Sequence, residues 1–296
     1  MRLSLPVAIS AALVGAALAS CTQLMGAPEP ADGPRAIPGK GGAIYVDDGG
    51  HGGMPVIFLH SFGGDSSHWA SQLDHLRHHR RALAIDLRGH GKSARPRDMD
   101  YSLPAFVSDL ETVVGELKLQ RFVLVGHSLG AAVANAYAAK HPRQVAGLVL
   151  VGASGRMPPE RSEKVMASLE ANYNQTMSQF MQELVSDAQP HVRTELLGQM
   201  SKMPREDSIA IIGALFKDDP LPAFDRYKGP KLLMYAAKSD GNGGLQSFRK
   251  GEKQVSFEGT SHWPHLDRPK EFNAALDEFL LEIRDPTVKA QARPGS

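Results

Sequence analysis

Residues 122–140 read FVLVGHSLGAAVANAYAAK and contain the local pattern that decides the fold. The apolar run Phe122-Val123-Leu124-Val125 is typical of a strand buried on both faces. The Ala-rich run from Ala131 to Lys140 favours a helix. Between them, Gly126-His127-Ser128-Leu129-Gly130 is a G-x-S-x-G pattern. Such a tight turn holds its central residue in a strained backbone conformation, and the flanking glycines avoid clashes there. The stretch therefore predicts a strand, a turn with Ser128 at its tip, and a helix.

The alternation of strand and helix continues on both sides of this stretch. Apolar runs predict six more strands, at Ala43–Val46, Pro55–Leu59, Arg81–Leu87, Val145–Val151, Lys231–Ala236 and Gln254–Phe257. Helical patterns cover Ser66–Arg77, Leu103–Leu117 and Pro269–Arg284. Strands that alternate with helices predict an α/β fold, with a mainly parallel sheet and helices on both faces.

Residues 154–226 break this alternation because they contain helical patterns and no buried-strand run. We interpret them as a helical cap, inserted above the C-terminal edge of the sheet, where ligands of open α/β sheets bind. Its methionines and phenylalanines either line an adaptable apolar pocket or simply pack the cap helices. They are Met157, Met166, Met177, Phe180, Met181, Met200, Met203 and Phe216.

A serine hydroxyl needs a base to become a good nucleophile. Where the nucleophilic serine lies in a G-x-S-x-G turn between a strand and a helix, the catalytic residues follow one another along the chain as nucleophile, acid and base. The base is therefore expected late in the sequence. His262 follows the last predicted strand and precedes the last helix, which makes it the candidate. His265 is the alternative, although Pro264 and the coming helix turn it away.

The acid belongs between the nucleophile and the base, at the end of a strand. Asp240 lies just beyond the predicted strand Lys231–Ala236. A carboxylate there accepts the imidazole N–H, fixes the tautomer and stabilises the imidazolium. Asp225 and Asp267 are rivals: the first is in or beside the cap, and the second is expected to cap the start of a helix.

The loop His60-Ser61-Phe62-Gly63-Gly64 follows the first long buried strand. We expect the backbone N–H groups of Phe62 and Leu129 to form an oxyanion hole, in which they stabilise developing negative charge. The alternative interpretation of this loop is a plain glycine turn.

Four sequence blocks together resemble the α/β-hydrolase superfamily in its capped, esterase-like form. The resemblance covers about residues 43–284 and rests on 60–64, on Asp86-Leu87-Arg88-Gly89-His90-Gly91-Lys92-Ser93, on 126–130 and on 259–265. It implies that the second block is structural, so Asp86 and Arg88 are not counted as catalytic. Two departures are present: Ser61 stands where the family more often has Gly, and Gly241-Asn242-Gly243-Gly244 replaces the usual helical signals after Asp240.

The resemblance implies hydrolysis of a carboxylic ester through an acyl-enzyme on Ser128. It argues against epoxide hydrolase and haloalkane dehalogenase chemistry, which use a carboxylate nucleophile at this position. Hydrolysis of a lactone, amide, thioester or C–C bond remains open with the same triad. From other classes of protein, a non-catalytic binding protein and an envelope anchoring protein are the alternatives.

The composition of the chain limits the kinds of partner that it is expected to bind. The 296 residues suffice for one α/β domain with an inserted cap. Lys plus Arg number 33 against 32 acidic residues, which gives no general electrostatic reason to bind nucleic acid. No nucleotide loop, cofactor fingerprint or metal motif is present, so we expect a small acyl substrate, no cofactor, no metal and no obligate protein partner.

The N-terminus predicts export and lipid attachment. Residues 1–20 have the charged start, apolar centre and small-residue end of a signal peptide. Leu18-Ala19-Ser20-Cys21 resembles the lipobox of bacterial lipoproteins, and Cys21 is the only cysteine. Residues 21–42 are Pro/Gly-rich and are expected to form a tether, and residues 285–296 a flexible tail.

The lipobox resemblance implies acylation of Cys21 and a place in the bacterial cell envelope. Thr22 follows the cysteine, and by the same resemblance the lack of Asp there favours the outer membrane, facing the periplasm. A secreted or periplasmic enzyme is the alternative.

Overall fold

An eight-stranded sheet forms the centre of the structure, a computed structural model that describes residues 33–240 and 243–283. The strands in chain order are β1 Arg35–Gly39, β2 Gly42–Gly49, β3 Val56–Leu59, β4 Ala82–Ile85, β5 Phe122–His127, β6 Val145–Val151, β7 Lys231–Ala236 and β8 Lys253–Phe257. Their spatial order is β1-β2-β4-β3-β5-β6-β7-β8. β2 pairs antiparallel with both of its neighbours, β1 and β4. The six strands β3 to β8 are all parallel to one another.

Helices cover both faces of this sheet. They are α1 Ala70–Arg77, α2 Leu103–Glu116, α3 Leu129–Lys140, α4 Pro159–Ala171, α5 Tyr173–Leu184, α6 Pro190–Met200, α7 Arg205–Lys217, α8 Pro220–Arg226, α9 Leu245–Phe248, α10 Pro264–Asp267 and α11 Pro269–Glu282, with a 3₁₀ turn at Ser66–Trp69. The fold class predicted from the sequence, a mainly parallel sheet between helical layers, is confirmed.

The buried strands read as continuous apolar runs because each face packs a different helical layer. Along β5, Leu124 packs with the core that contains α2 and α3 residues. Val123 and Val125 point to the opposite core, which contains Trp69 and the α11 residue Phe272. Alternate residues of one strand thus enter two separate cores, as the two-residue period of a strand requires.

The predicted tether is wrong over residues 35–42. Arg35–Gly39 forms β1 and pairs with β2 in a hairpin, with Arg35 opposite Val46. Ile37 is buried against the core, and Arg35 makes a 3.1 Å ion pair with Asp48. Pro38 is tolerated because β1 is an edge strand, where a missing N–H costs little. Residues 1–32, which include the predicted signal and Cys21, lie outside the described residues, as do Arg284 and the predicted tail at 285–296.

Helices α4 to α8 lie between β6 and β7 and correspond to the stretch interpreted as a cap. Met177 of α5 and Ile211 of α7 share one buried core with Leu129, the first residue of α3. Met181 and Leu196 form a second small core with Trp263, which follows His262. The helical layer is therefore packed against both predicted catalytic loops. Among the described residues, no helix combines the length and the apolar character that crossing a bilayer requires.

Candidate active site

Ser128 lies at the turn between β5 and α3, with φ +51° and ψ −108°. Positive φ is rare for a residue with a side chain and costs free energy, so the surrounding structure must hold it. The backbone N–H of Ser128 donates a 2.9 Å hydrogen bond to Val151 at the end of the neighbouring strand. The strain expected from the sequence pattern is therefore present at this residue.

The two flanking glycines are explained by close backbone contacts. A Cβ on Gly126 would lie against the carbonyl oxygen of Gly130, and one on Gly130 would lie against the carbonyl of Leu59. Gly130 also donates a 3.1 Å hydrogen bond to His60, which joins the turn to the end of β3. No side chain fits at either position without moving backbone.

His262 and Asp240 are brought together from two separate loops. Nδ1 of His262 lies 2.6 Å from Oδ1 of Asp240, and both side chains are buried. Because a carboxylate only accepts, the proton of the neutral imidazole is on Nδ1, and Nε2 is left as an acceptor. The pair has the arrangement that a base and its orienting acid require.

The Asp240 carboxylate is fixed by its own loop. Its Oδ2 accepts a 2.9 Å hydrogen bond from the backbone of Ala236, the last residue of β7. The Gln246 amide donates to the Asp240 carbonyl. The rival Asp225 lies on α8, where its carboxylate is exposed and paired with Arg249 at 2.8 Å. Asp225 is thus not beside the imidazole.

His265, the alternative base, is fully buried on the other side of its loop. Its ring stacks on Trp69 with centroids 4.2 Å apart. Burial, and then the charges of His68 and His262, hold the pKa of His265 well below its ordinary value. His265 does not line the cavity that Ser128 and His262 share.

The other rival, Asp267, has a role that the sequence did not predict. It ends α10 and does not cap the following helix. Its Oδ2 accepts from the backbone N–H of Ser261 at 2.8 Å and from the hydroxyl at 2.6 Å. Its Oδ1 accepts from the backbone of Gln189, between cap helices α5 and α6, at 2.8 Å. Asp267 therefore joins the loop of His262 to the cap.

The backbone N–H groups of Phe62 and Leu129 make no hydrogen bond within the described residues. Phe62 lines the same cavity as Ser128, and Gly63 takes φ +70° in the turn that follows it. Ser61 is the departure from the family pattern noted above. Its hydroxyl accepts a 3.2 Å hydrogen bond from the indole of Trp263, so this loop is tied to that of His262.

The block at 86–93 has a structural role. Asp86 accepts hydrogen bonds from the backbones of Ser66 and Lys92, at 2.6 and 2.7 Å. Arg88 forms a buried ion pair with Asp109 at 2.7 Å. Neither side chain lines the cavity that Ser128 and His262 share, which agrees with the structural role that the resemblance implied.

A cavity of about 350 Å³ lies between the sheet edge and the cap. Ser128, His262 and Phe62 are in its wall, and most of the rest is apolar. Of the cap residues singled out from the sequence, those in the wall are Met157, Met177, Phe180, Met181, Met200 and Phe216. Met166 and Met203 pack against the core instead. Both interpretations of the methionines thus hold, and Met177 and Met181 do both, since they line the cavity and pack in the cores.

Gly152 is a further residue that sequence reasoning missed. It follows β6 with φ +52°, and a Cβ there would lie 2.6 Å from Cε1 of His262. Glycine is required both by this backbone conformation and by the close approach of the imidazole. A lone Gly directly after a strand was the available signal. Across the described residues, no group of three His, Cys, Asp or Glu side chains is arranged to hold a metal ion.

A sequence model of the alpha/beta hydrolase fold family matches residues 54–207. This range includes Ser128 and much of the cap. The chain belongs to the α/β-hydrolase family. A 1-acylglycerol-3-phosphate O-acyltransferase of Rattus norvegicus, ABHD5, is 28% identical over 77% of this chain and 78% of its own length.

Two solved structures share the fold of this α/β-hydrolase. An esterase from Exiguobacterium antarcticum superposes with a TM-score of 0.73 at 22% identity, over 83% of this chain and 98% of its own. An enol-lactonase from Burkholderia xenovorans LB400 gives a TM-score of 0.68 at 22% identity, over 83% and 100%. At this identity the likeness concerns the fold alone.

Proposed function

We propose that the protein is a serine hydrolase that cleaves a carboxylic ester through an acyl-enzyme on Ser128. The observation that carries the proposal is the 2.6 Å contact between His262 and Asp240 at a cavity that Ser128 also lines. In the first step Nε2 of His262 takes the hydroxyl proton of Ser128 while the oxygen attacks the ester carbonyl. Asp240 holds the imidazole tautomer and stabilises the imidazolium.

The developing oxyanion is stabilised by the backbone N–H groups of Phe62 and Leu129, which have no partner among the described residues. Donors fixed before the reaction cost no reorganisation during it. His262 then returns its proton to the departing alcohol. Water enters, and His262 takes one of its protons while the water oxygen attacks the acyl carbonyl. His262 then gives that proton to the Ser128 oxygen as its bond to the acyl carbon breaks, and the acyl group leaves as a carboxylic acid.

The apolar wall of the cavity supports an acyl substrate that is itself largely apolar. Burying such a chain contributes about 0.8 kcal/mol for each CH₂ group. A panel of p-nitrophenyl esters of increasing acyl length tests the proposal, with Ser128→Ala as the control. Turnover that rises with chain length and vanishes in the variant supports it. Hydrolysis that survives in Ser128→Ala contradicts it.

A second candidate is acyl transfer, in which an alcohol replaces water as the acceptor of the acyl group. The sequence similarity to an acyltransferase over three quarters of the chain favours it. Adding 1-acylglycerol-3-phosphate to the ester assay separates the two functions. A diacyl product in place of free acid indicates transfer, and free acid alone indicates hydrolysis. Lactones, amides and C–C substrates in the same panel test the remaining uses of the triad.

We further propose that the mature protein begins at an acylated Cys21 and is held in the bacterial envelope, at the outer membrane. The lipobox resemblance supports this, and Cys21 lies outside the described residues. Removing residues 1–20 also removes Arg2, which leaves 33 − 1 = 32 basic against 32 acidic residues. A neutral chain gains little from anionic lipid, so the acyl chains would supply the anchoring.

Mass spectrometry of the N-terminal peptide, with fractionation of Cys21→Ser, tests the lipid anchor. A lipid-modified peptide and release of the variant from membranes are expected. An unmodified Cys21, or a variant that stays equally membrane-bound, would leave a secreted or periplasmic enzyme as the explanation.

A further inference from the structure

The cavity continues from Ser128 along one face of helix α3. Ala131, Ala132 and Asn135 line it, three, four and seven residues after Ser128. These spacings place all of them on one side of a helix, so the cavity follows the helix axis. At 1.5 Å per residue, the backbone of Asn135 lies about 10 Å beyond that of Ser128 along the helix axis. Asn135 is thus a lining residue that lies well beyond Ser128 along this helix.

Asn135 adds a polar side chain to a cavity whose wall is mostly apolar. Nδ2 of Asn135 donates a 2.9 Å hydrogen bond to the carbonyl of Pro220. Because a carbonyl only accepts, this contact fixes the amide orientation and makes the remaining atom an oxygen. Asn135 is 2% exposed, and its Oδ1 has no hydrogen-bond partner within the described residues. A buried acceptor without a donor destabilises the protein unless a ligand or water supplies one.

Asp218 is a second polar residue in the lining of the cavity. This residue lines the same cavity and precedes Pro220, the partner of Asn135, by two positions. In the part of the chain that the structure describes, its carboxyl makes no hydrogen bond or ion pair. Burial, and then the charge of Asp219, raise the pKa of Asp218. The neighbouring Asp219 differs, since its carboxylate pairs with Arg156 and caps α8.

From this placement we infer that Asn135 and Asp218 form a subsite for a hydroxyl group at the far end of the acyl chain. The inference rests on the proposed function, because it assumes that the acyl group lies along α3. A hydroxyl donates its proton to Oδ1 of Asn135, and its oxygen and the Asp218 carboxyl are then the remaining polar groups of the subsite. With C–C bonds of about 1.5 Å and bond angles near 111°, an extended chain of about eight carbons spans about 10 Å. The substrate class is therefore a medium-length, terminally hydroxylated acyl ester.

An apolar lining at the position of Asn135 would favour the ester without a terminal hydroxyl group. A hydroxyl that enters an apolar cavity loses its hydrogen bonds to water and gains none, so the unsubstituted chain would be preferred. A site with an unpaired acceptor instead rejects the chain that lacks the donor. The comparison between two esters that differ only in the terminal hydroxyl therefore decides the inference.

The experiment measures kcat/KM for p-nitrophenyl octanoate and p-nitrophenyl 8-hydroxyoctanoate. The wild-type protein is expected to prefer the hydroxylated ester, and Asn135→Leu is expected to lower that preference by about tenfold, the effect of one hydrogen bond. Asn174→Leu, an exposed cap position outside the cavity, is the matched control and keeps the preference. Asp218→Asn also keeps it, because an amide still hydrogen-bonds a hydroxyl.

Equal rates for the two esters, or a preference that Asn135→Leu leaves intact, overturn the inference while the proposed hydrolysis stands. A stronger preference for the 8-amino ester, lost in Asp218→Asn, also overturns it, because the subsite would then recognise a cation. If neither ester is hydrolysed, the proposed function fails. Calorimetric binding of 8-hydroxyoctanoic and octanoic acids then tests the subsite alone, and equal affinities overturn it.

Discussion

The backbone N–H of His262 donates a 3.1 Å hydrogen bond to the carbonyl of Leu184, the last residue of cap helix α5. The proposed catalytic base is thus tied directly to the cap. Asp267 makes a second connection five residues later, since its carboxylate accepts from Gln189 of the cap and from Ser261 of the His262 loop. Displacement of the α5–α6 segment would therefore displace the imidazole.

Asp267→Asn should lower kcat more than it raises KM, because an amide cannot accept from all three donors that the carboxylate serves. The buried donors left unpaired should also cost about 1–3 kcal/mol of unfolding free energy. Steady-state kinetics and urea unfolding measure the two effects. Asp225→Asn, which alters an exposed ion pair, is the control and should change neither quantity much. Wild-type kcat and stability in Asp267→Asn would refute the coupling.

Ser128→Ala should reduce ester hydrolysis by about a thousandfold or more, because the nucleophilic oxygen is lost. Ser128→Gly should be equally inactive but more stable than Ser128→Ala by about 1 kcal/mol, since only glycine relieves the strain of φ +51°. Thermal unfolding of the two variants checks the second expectation. Equal stability of the two would mean that the turn is not strained.

Asp240→Asn should lower kcat by up to about ten-thousandfold with the fold intact, because an amide favours the wrong imidazole tautomer. The rates follow from ester hydrolysis, and circular dichroism checks the fold. Gln246→Ala, which removes the amide donor to the Asp240 carbonyl, should give a smaller loss. If Asp240→Asn keeps wild-type kcat, the acid has been assigned incorrectly.

The sequence was sufficient to predict elements whose cause is local. Strand β5 and the turn at Ser128 follow from a buried apolar run, two obligatory glycines and an Ala-rich helix within 19 residues. The candidate base was found from chain order, and the structure brings it to the predicted carboxylate. The sequence left Asp225 and Asp267 as alternatives to Asp240 for the catalytic acid. Which carboxylate reaches the imidazole depends on how two separate loops fold.

Features that depend on distant contacts were missed. Strand β1 reads as a Pro/Gly-rich tether because only its pairing with β2 and the burial of Ile37 make it ordered structure. The connection from Asp267 to Gln189 spans 78 residues, and no local pattern encodes it. The orientation of the Asn135 amide likewise depends on its hydrogen bond to Pro220, 85 residues later.

Buried neutral histidines make the stability of the fold dependent on pH. Burial lowers the pKa of His265 well below its ordinary value and that of His90 to about 4. The unfolded chain takes up a proton at each position near pH 6.5, whereas the folded chain resists it. The stability that each neutral ring contributes is therefore complete above about pH 6.5 and is lost as the pH falls toward the folded pKa.

Replacing one of these rings should flatten that dependence. His265→Phe keeps an aromatic ring for the stack on Trp69 and removes the titratable group. The slope of unfolding free energy against pH, between about 6 and 5, should fall by up to about 1.4 kcal/mol per pH unit. Urea unfolding at several pH values measures it, with the exposed His191→Phe as the matched control. An unchanged slope in His265→Phe, or an equal change in His191→Phe, would show that His265 is not the source of the pH dependence.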